Sequence, residues 1–147
     1  MKRTLYFAYG SNLDPAQMRR RCPHAAAAGC ATLDGYRIAF GGHSRTWGGA
    51  VATLVQNPDD WVDGVLYEMP VAELAILDRH EGHPRAYRRT RLLVTDETGR
   101  RRRAHVYVLP VAAETPPAPG YLGVLWDAYL RLGFDRTPLA AARGGAR

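Results

Sequence analysis

Short apolar runs divided by turn residues make up most of this chain, and runs of five to nine residues build strands rather than long helices. Residues 4–9 hold neither Gly nor Pro and read as a buried first strand, halted by Gly10-Ser11-Asn12. Residues 28–33 and 36–40 flank Asp34-Gly35, a dipeptide suited to a two-residue hairpin turn. A polar loop over 41–49 leads to a strand over 50–55, a turn at Asn57-Pro58-Asp59-Asp60 and a further strand over 62–69. Residues 87–95 and 103–109 pair around Asp96-Glu97-Thr98-Gly99. Three helices interrupt the series. Asp14-Pro15-Ala16-Gln17 has the residues of a capping box, so a short helix runs from Pro15 to about Arg21 and stops at Pro23. Pro70 opens an amphipathic helix over 71–79. After a proline-rich connection over 112–119, residues 121–132 place Leu122, Leu125, Trp126, Tyr129 and Leu130 at helical spacing. The expected fold is α+β, a small mixed and mostly antiparallel β-barrel with inserted short helices and a C-terminal helix. One domain covers 1–139, and 140–147 are expected to be a flexible tail.

Composition narrows the function classes. With 46% hydrophobic residues in 147 the chain can build a core, and no apolar stretch nears the roughly 18 to 20 residues of a membrane helix. The apolar run behind Met1-Lys2-Arg3 is too short for a signal peptide, so a cytoplasmic location is expected. Cys22 and Cys30 have neither disulfide-framework nor metal spacing and read as reduced thiols. The net charge of +6 is almost wholly arginine, Lys2 being the single lysine, as GC-rich coding would produce without a polyanion partner. Arg100-Arg101-Arg102-Arg103 therefore reads as a solvated hairpin tip rather than a nucleic-acid contact.

Two segments carry chemistry. The turn from Tyr9 to Leu13 joins a strand end to a helix N-terminus, where unpaired N–H groups and the helix dipole can hold a carboxylate or a developing oxyanion. Ser11 sits in no Gly-x-Ser-x-Gly elbow, which argues against a serine hydrolase. The second is Glu81, between His80 and Gly82 with His83 beyond. The order His-Glu-Gly-His differs from the zinc-binding His-Glu-x-x-His, and the sequence nominates no third ligand, so no metal is assigned.

Read together, these segments resemble the gamma-glutamylcyclotransferase family. The resemblance rests on Tyr6-Phe7-Ala8-Tyr9-Gly10-Ser11-Asn12-Leu13 and on Leu77-Asp78-Arg79-His80-Glu81-Gly82 with Tyr87 after it. Trp47-Gly48-Gly49-Ala50-Val51-Ala52-Thr53, Gly64-Val65-Leu66-Tyr67 and Pro116-Pro117-Ala118-Pro119-Gly120-Tyr121 support it, and it runs from about Thr4 to Phe134. It implies a barrel-like α+β enzyme that converts a gamma-glutamyl amide into 5-oxoproline and a free amine without a cofactor. It maps the general acid/base onto Glu81 and the pocket onto Tyr9, Gly10, Ser11 and Asn12, with Tyr121 closing one side. Strand alternation adds Tyr6 to the same cavity.

The Tyr-Gly-Ser-Asn-Leu turn with Trp47-Gly48-Gly49 looks more like the branch acting on gamma-glutamyl amino acids or small peptides than the gamma-glutamylamine branch, whose turn more often reads Tyr-Gly-Thr-Leu. The alternative is that the arginine-rich chain instead prefers an acidic leaving group. The expected partner is thus a small gamma-glutamyl molecule, with no membrane, and the chain a monomer or homodimer. For Glu81 to shuttle protons its pKa must be raised, so Arg79 and His83 are expected to point outward; His80 or His83 stands as an alternative second acid/base. The competing reading is a non-catalytic module that retains a small carboxylate or binds nucleic acid through Arg100 to Arg103.

Overall fold

The architecture was obtained as a computed structural model that describes residues 2–144, and two long strands carry it. β2 (Ala26–Ser44) and β3 (Gly49–Pro70) run antiparallel, joined by a turn in which Gly48 donates its N–H to the Ser44 carbonyl at 2.8 Å. β1 (Arg3–Ala8) pairs antiparallel with the last part of β3, from Arg3 opposite Pro70 to Ala8 opposite Val65. β4 (Arg88–Asp96) and β5 (Arg101–Val108) form a hairpin; β4 joins β2 at Ala31 and Thr32, and β5 meets β1 in parallel at Tyr6 opposite His105. The order β1-β3-β2-β4-β5 closes on itself, so the sheet is a barrel with its edges paired. The expected α+β class and mostly antiparallel barrel are therefore what the chain forms.

Among the described residues, five strands replace the more numerous short ones read from the sequence. Residues 28–33 and 36–40 belong to one strand, and Asp34-Gly35 makes a bulge within it instead of a hairpin turn. Asp34 faces Trp61 while Tyr36 faces Gln56, so Gly35, at φ 83°, stands opposite the four residues 57–60. Pairs that pack into the core on either side, Leu33 with Val62 and Ile38 with Leu54, hold both halves of β2 against β3. Glycine's freedom at positive φ is spent on bending the strand. Residues 57–60 keep the local turn expected of them, the Asp59 N–H reaching Asn57 Oδ1 at 3.1 Å. The hairpin over Asp96 to Gly99 also forms, with Asp96 Oδ1 accepting from the backbone N–H groups of Thr98 and Arg100.

A 3-10 turn (Ser11–Leu13) leads from β1 into α1 (Pro15–Arg21). Asp14 caps α1 by accepting from Ala16 N at 3.1 Å; Gln17, expected to complete a capping box, is used elsewhere. α2 (Val71–Glu81) runs two residues past the expected end and stops at Gly82, whose φ of 69° terminates it. α3 (Pro119–Leu132) ends likewise at Gly133, and packs Leu125 and Tyr129 into the core. A fourth helix, α4 (Thr137–Gly144), takes up residues 140–144 of the segment expected as a tail, and its Leu139 is fully buried; 145–147 lie outside the described residues. Among the described residues no helix is long and apolar enough to cross a membrane.

Candidate active site

Asn12 organises the polar centre. Its Nδ2 donates to Tyr6 Oη at 3.0 Å and to Glu81 Oε1 at 3.3 Å, and its Oδ1 accepts from Gln17 Nε2 at 3.0 Å and Arg21 Nη1 at 3.2 Å. All of its side-chain polar capacity is thereby used, which fixes the amide's orientation. Gln17 and Arg21 reach it together because positions four apart share one face of α1. Gln17 Nε2 also donates to Ser11 Oγ at 2.7 Å, and Tyr67 Oη donates to the Asn12 carbonyl at 3.1 Å.

Glu81 closes α2 and points into a cavity of about 280 Å³ that Tyr6, Tyr9, Gly10, Ser11, Asn12 and Tyr121 also line. The seven residues singled out from the sequence thus meet in one place, with Glu81 facing the turn across 69 positions of chain from Asn12. Its side chain is 15% exposed, and Arg21 Nη1 stands 3.6 Å from Oε1. Burial pushes its pKa up to about 7; Arg21 and the Asn12 hydrogen bond pull it down and lose. The tension expected between burial and neighbouring cations is real, and Arg21 is the cation that matters. His83 is turned away, its Nδ1 accepting from Arg89 N at 3.0 Å, as expected, whereas Arg79 is exposed but stays on the cavity lining beside His80. His80 is held below its usual pKa by burial and by Arg21 and Arg79.

Aromatic rings form the walls. Tyr6 stacks on Tyr67 at 6.2 Å and meets Tyr107 edge-on at 5.7 Å. Tyr9 Oη donates to the Tyr107 carbonyl at 2.6 Å, and Tyr87 Oη to the Ala52 carbonyl at 2.5 Å. Burial raises the pKa of Tyr6, Tyr9 and Tyr87, so these hydroxyls stay protonated. Tyr121 explains Gly10: a Cβ at that position would come within 2.6 Å of the Tyr121 hydroxyl. The constraint there is space, since Gly10 has a φ of −110° that any residue adopts.

The end of α2 is tied to the β4–β5 hairpin. Asp78 accepts from Arg89 Nε at 2.8 Å, Arg89 Nη2 at 3.2 Å and Tyr107 Oη at 2.5 Å. Burial would raise the Asp78 pKa, but these hydrogen bonds win and hold it low. Glu81 therefore projects from a helix end that is anchored three residues earlier. Sequence reasoning did not assign Arg21, Gln17, Tyr67, Tyr87 or Tyr107 to the site, although Tyr67 and Tyr87 stand in the segments that carry the resemblance; for Gln17 and Arg21 the four-residue spacing on α1 was the available signal. Arg102, expected in a solvated tip, lies on β5 and pairs with Asp96 at 3.5 Å. Among the described residues no group of three or more His, Cys, Asp or Glu side chains is arranged to hold a metal ion.

A closed barrel whose small cavity holds one buried carboxylate with a raised pKa is the arrangement of a small-molecule site. The family model described as gamma-glutamyl cyclotransferase, AIG2-like, matches residues 6–128, and the chain belongs to that family. It is an enzyme of the cyclotransferase type. It is similar to the gamma-glutamylcyclotransferase of Homo sapiens, 34% identical over 126 residues that cover 82% of this chain and 67% of that protein. The Bos taurus gamma-glutamylcyclotransferase is 33% identical over the same shares. A solved gamma-glutamyl cyclotransferase structure superposes with a TM-score of 0.88 at 29% identity, covering 97% of this chain and 87% of that one.

Proposed function

We propose that the chain converts a gamma-glutamyl amide, a gamma-glutamyl amino acid or small peptide, into 5-oxoproline and a free amine, with Glu81 as the proton carrier. The observation that carries this reading is the Glu81 carboxylate, buried opposite the Gly10–Asn12 turn with a pKa of about 7.

The substrate's α-amine and its own side-chain carbonyl carbon close a five-membered ring, so no protein nucleophile is needed; holding the two in line is worth effective molarities of about 10⁵ to 10⁸ M. Ionised Glu81 takes a proton from the α-ammonium. The freed amine adds to the carbonyl carbon, forming the ring C–N bond, and the carbonyl oxygen becomes an oxyanion. As the oxyanion reforms the carbonyl, the original amide C–N bond breaks and Glu81 returns its proton to the departing nitrogen. The ring nitrogen's remaining extra proton passes by the same carboxylate to the released amine, which departs as an ammonium. Atoms and charge balance, and Glu81 ends as it began. A carboxylate with a pKa near 7 suits both halves of the cycle, a contribution of roughly 10² to 10⁴ in rate. The turn N–H groups serve the α-carboxylate or the oxyanion, and the Ser11 hydroxyl, already bonded to Gln17, acts as scaffold.

An intact, buried carboxylate favours an enzyme over a binding module. The unpaired thiols of Cys22 and Cys30 suit a reducing cytoplasm. Purified protein incubated with a panel of gamma-glutamyl amino acids should release 5-oxoproline, detected by mass spectrometry, and Glu81→Gln should release none. Equal turnover by the variant removes Glu81 from the mechanism.

A further inference from the structure

The cavity carries more positive charge than one glutamyl group can use. Among the described residues its lining contains a single carboxylate, Glu81, and two arginines, Arg21 and Arg79. Arg21 is committed at the inner end, to Asn12 Oδ1 and beside Glu81. Arg79 lies on the last turn of α2, exposed at the mouth, and among the described residues it pairs with no carboxylate. His80 stands next to it, and His43 on the β2 end supplies a further basic side chain on the lining. Burial lowers the His80 pKa most, and Arg21 and Arg79 add to it, so both arginines act on this rim.

A gamma-glutamyl amide brings one ammonium and one carboxylate on its glutamyl half. With Glu81 assigned to the ammonium and the inner end to the α-carboxylate, Arg79 is left over: it is on the lining yet exposed, at the solvent end of the cavity where the amide's other half must project. We infer that Arg79, with His80 and His43 beside it, forms a leaving-group subsite for a carboxylate, so that the chain selects amides whose released amine is an amino acid or peptide over those releasing a neutral or cationic amine. This rests on the cyclotransferase reading above. Arginine suits the task because its planar fork binds a carboxylate through two parallel N–H groups. An unpaired arginine at a rim is free to take such a ligand without first breaking a native ion pair.

The test compares gamma-glutamyl-alanine, gamma-glutamyl-ethylamide and the gamma-glutamyl amide of 1,4-diaminobutane, following 5-oxoproline with wild type, Arg79→Ala, Arg79→Lys and Arg79→Glu. In wild type kcat/KM should be highest for the alanine compound. In Arg79→Ala the ratio of kcat/KM for the alanine compound over the ethylamide should fall about tenfold, mainly through KM, as expected for one charged hydrogen-bonding partner. Arg79→Lys should recover part of that ratio, and Arg79→Glu should turn the preference toward the diaminobutane compound. An alanine-to-ethylamide ratio that stays within about twofold in Arg79→Ala, with wild type active on both, overturns the subsite and leaves the cyclotransferase reading standing. Absence of 5-oxoproline from all three compounds in wild type overturns the cyclotransferase reading itself and the subsite with it.

Discussion

Replacing Glu81 by Gln should change the pH dependence of folding, and the size of the effect follows from its environment. The free carboxyl has a pKa of 4.5 and the buried one about 7. The folded state therefore holds the proton more tightly than the unfolded state, and stability falls as pH rises between these values, then levels off above 7. Each pKa unit is worth about 1.4 kcal/mol, so the full loss is about 3 kcal/mol, most of it between pH 5 and pH 8. Glutamine keeps the shape and can accept the same Asn12 hydrogen bond, but it does not titrate. Urea or thermal unfolding of both proteins at pH 5, 6, 7 and 8 measures the difference, in which the titrations of all other groups cancel. The Glu81→Gln variant should gain about 2 to 3 kcal/mol relative to wild type across that range, roughly 5 to 10 °C in Tm for a chain of this size. A stability difference constant to within about 0.5 kcal/mol over the four pH values refutes the raised pKa and, with it, the reason for giving Glu81 both proton transfers.

The same pKa governs turnover: kcat/KM should rise with pH through an inflection near 7 as Glu81 ionises, and Arg21→Met, which removes the cation opposing burial, should move that inflection upward. Ser11→Ala should lower kcat/KM only modestly, since the hydroxyl accepts from Gln17 and serves as scaffold, whereas Gly10→Val should abolish activity because its side chain would enter the space of the Tyr121 hydroxyl; an acyl group trapped on Ser11 in a mass spectrum contradicts the scaffold role. Gly64→Ala should destabilise the barrel by several kcal/mol, read from urea unfolding, because a methyl group there collides with the Ala8 carbonyl and comes within 2.6 Å of the Phe7 ring.

Local chemistry was legible in the sequence because it depends on neighbours along the chain. Strand and helix periods, the strand-to-helix turn at Tyr9 to Leu13 and the glycine stop behind Glu81 all follow from side chains within a few positions of one another. The resemblance carried by those motifs extended this to the family and to the seven pocket residues. Tertiary structure alone decided the rest. Asp34-Gly35 has the residues of a hairpin turn, yet core pairs on both sides of it turn it into a bulge, because burying Leu33 and Ile38 against one partner strand outweighs a two-residue preference. Gln17 could have capped its own helix and instead orients Asn12. Above all, the pKa of Glu81 belongs to no segment. It is set by how completely β1, α1 and α2 exclude water around one carboxylate, and by how near they bring Arg21, and both depend on distances that exist only once the barrel has closed.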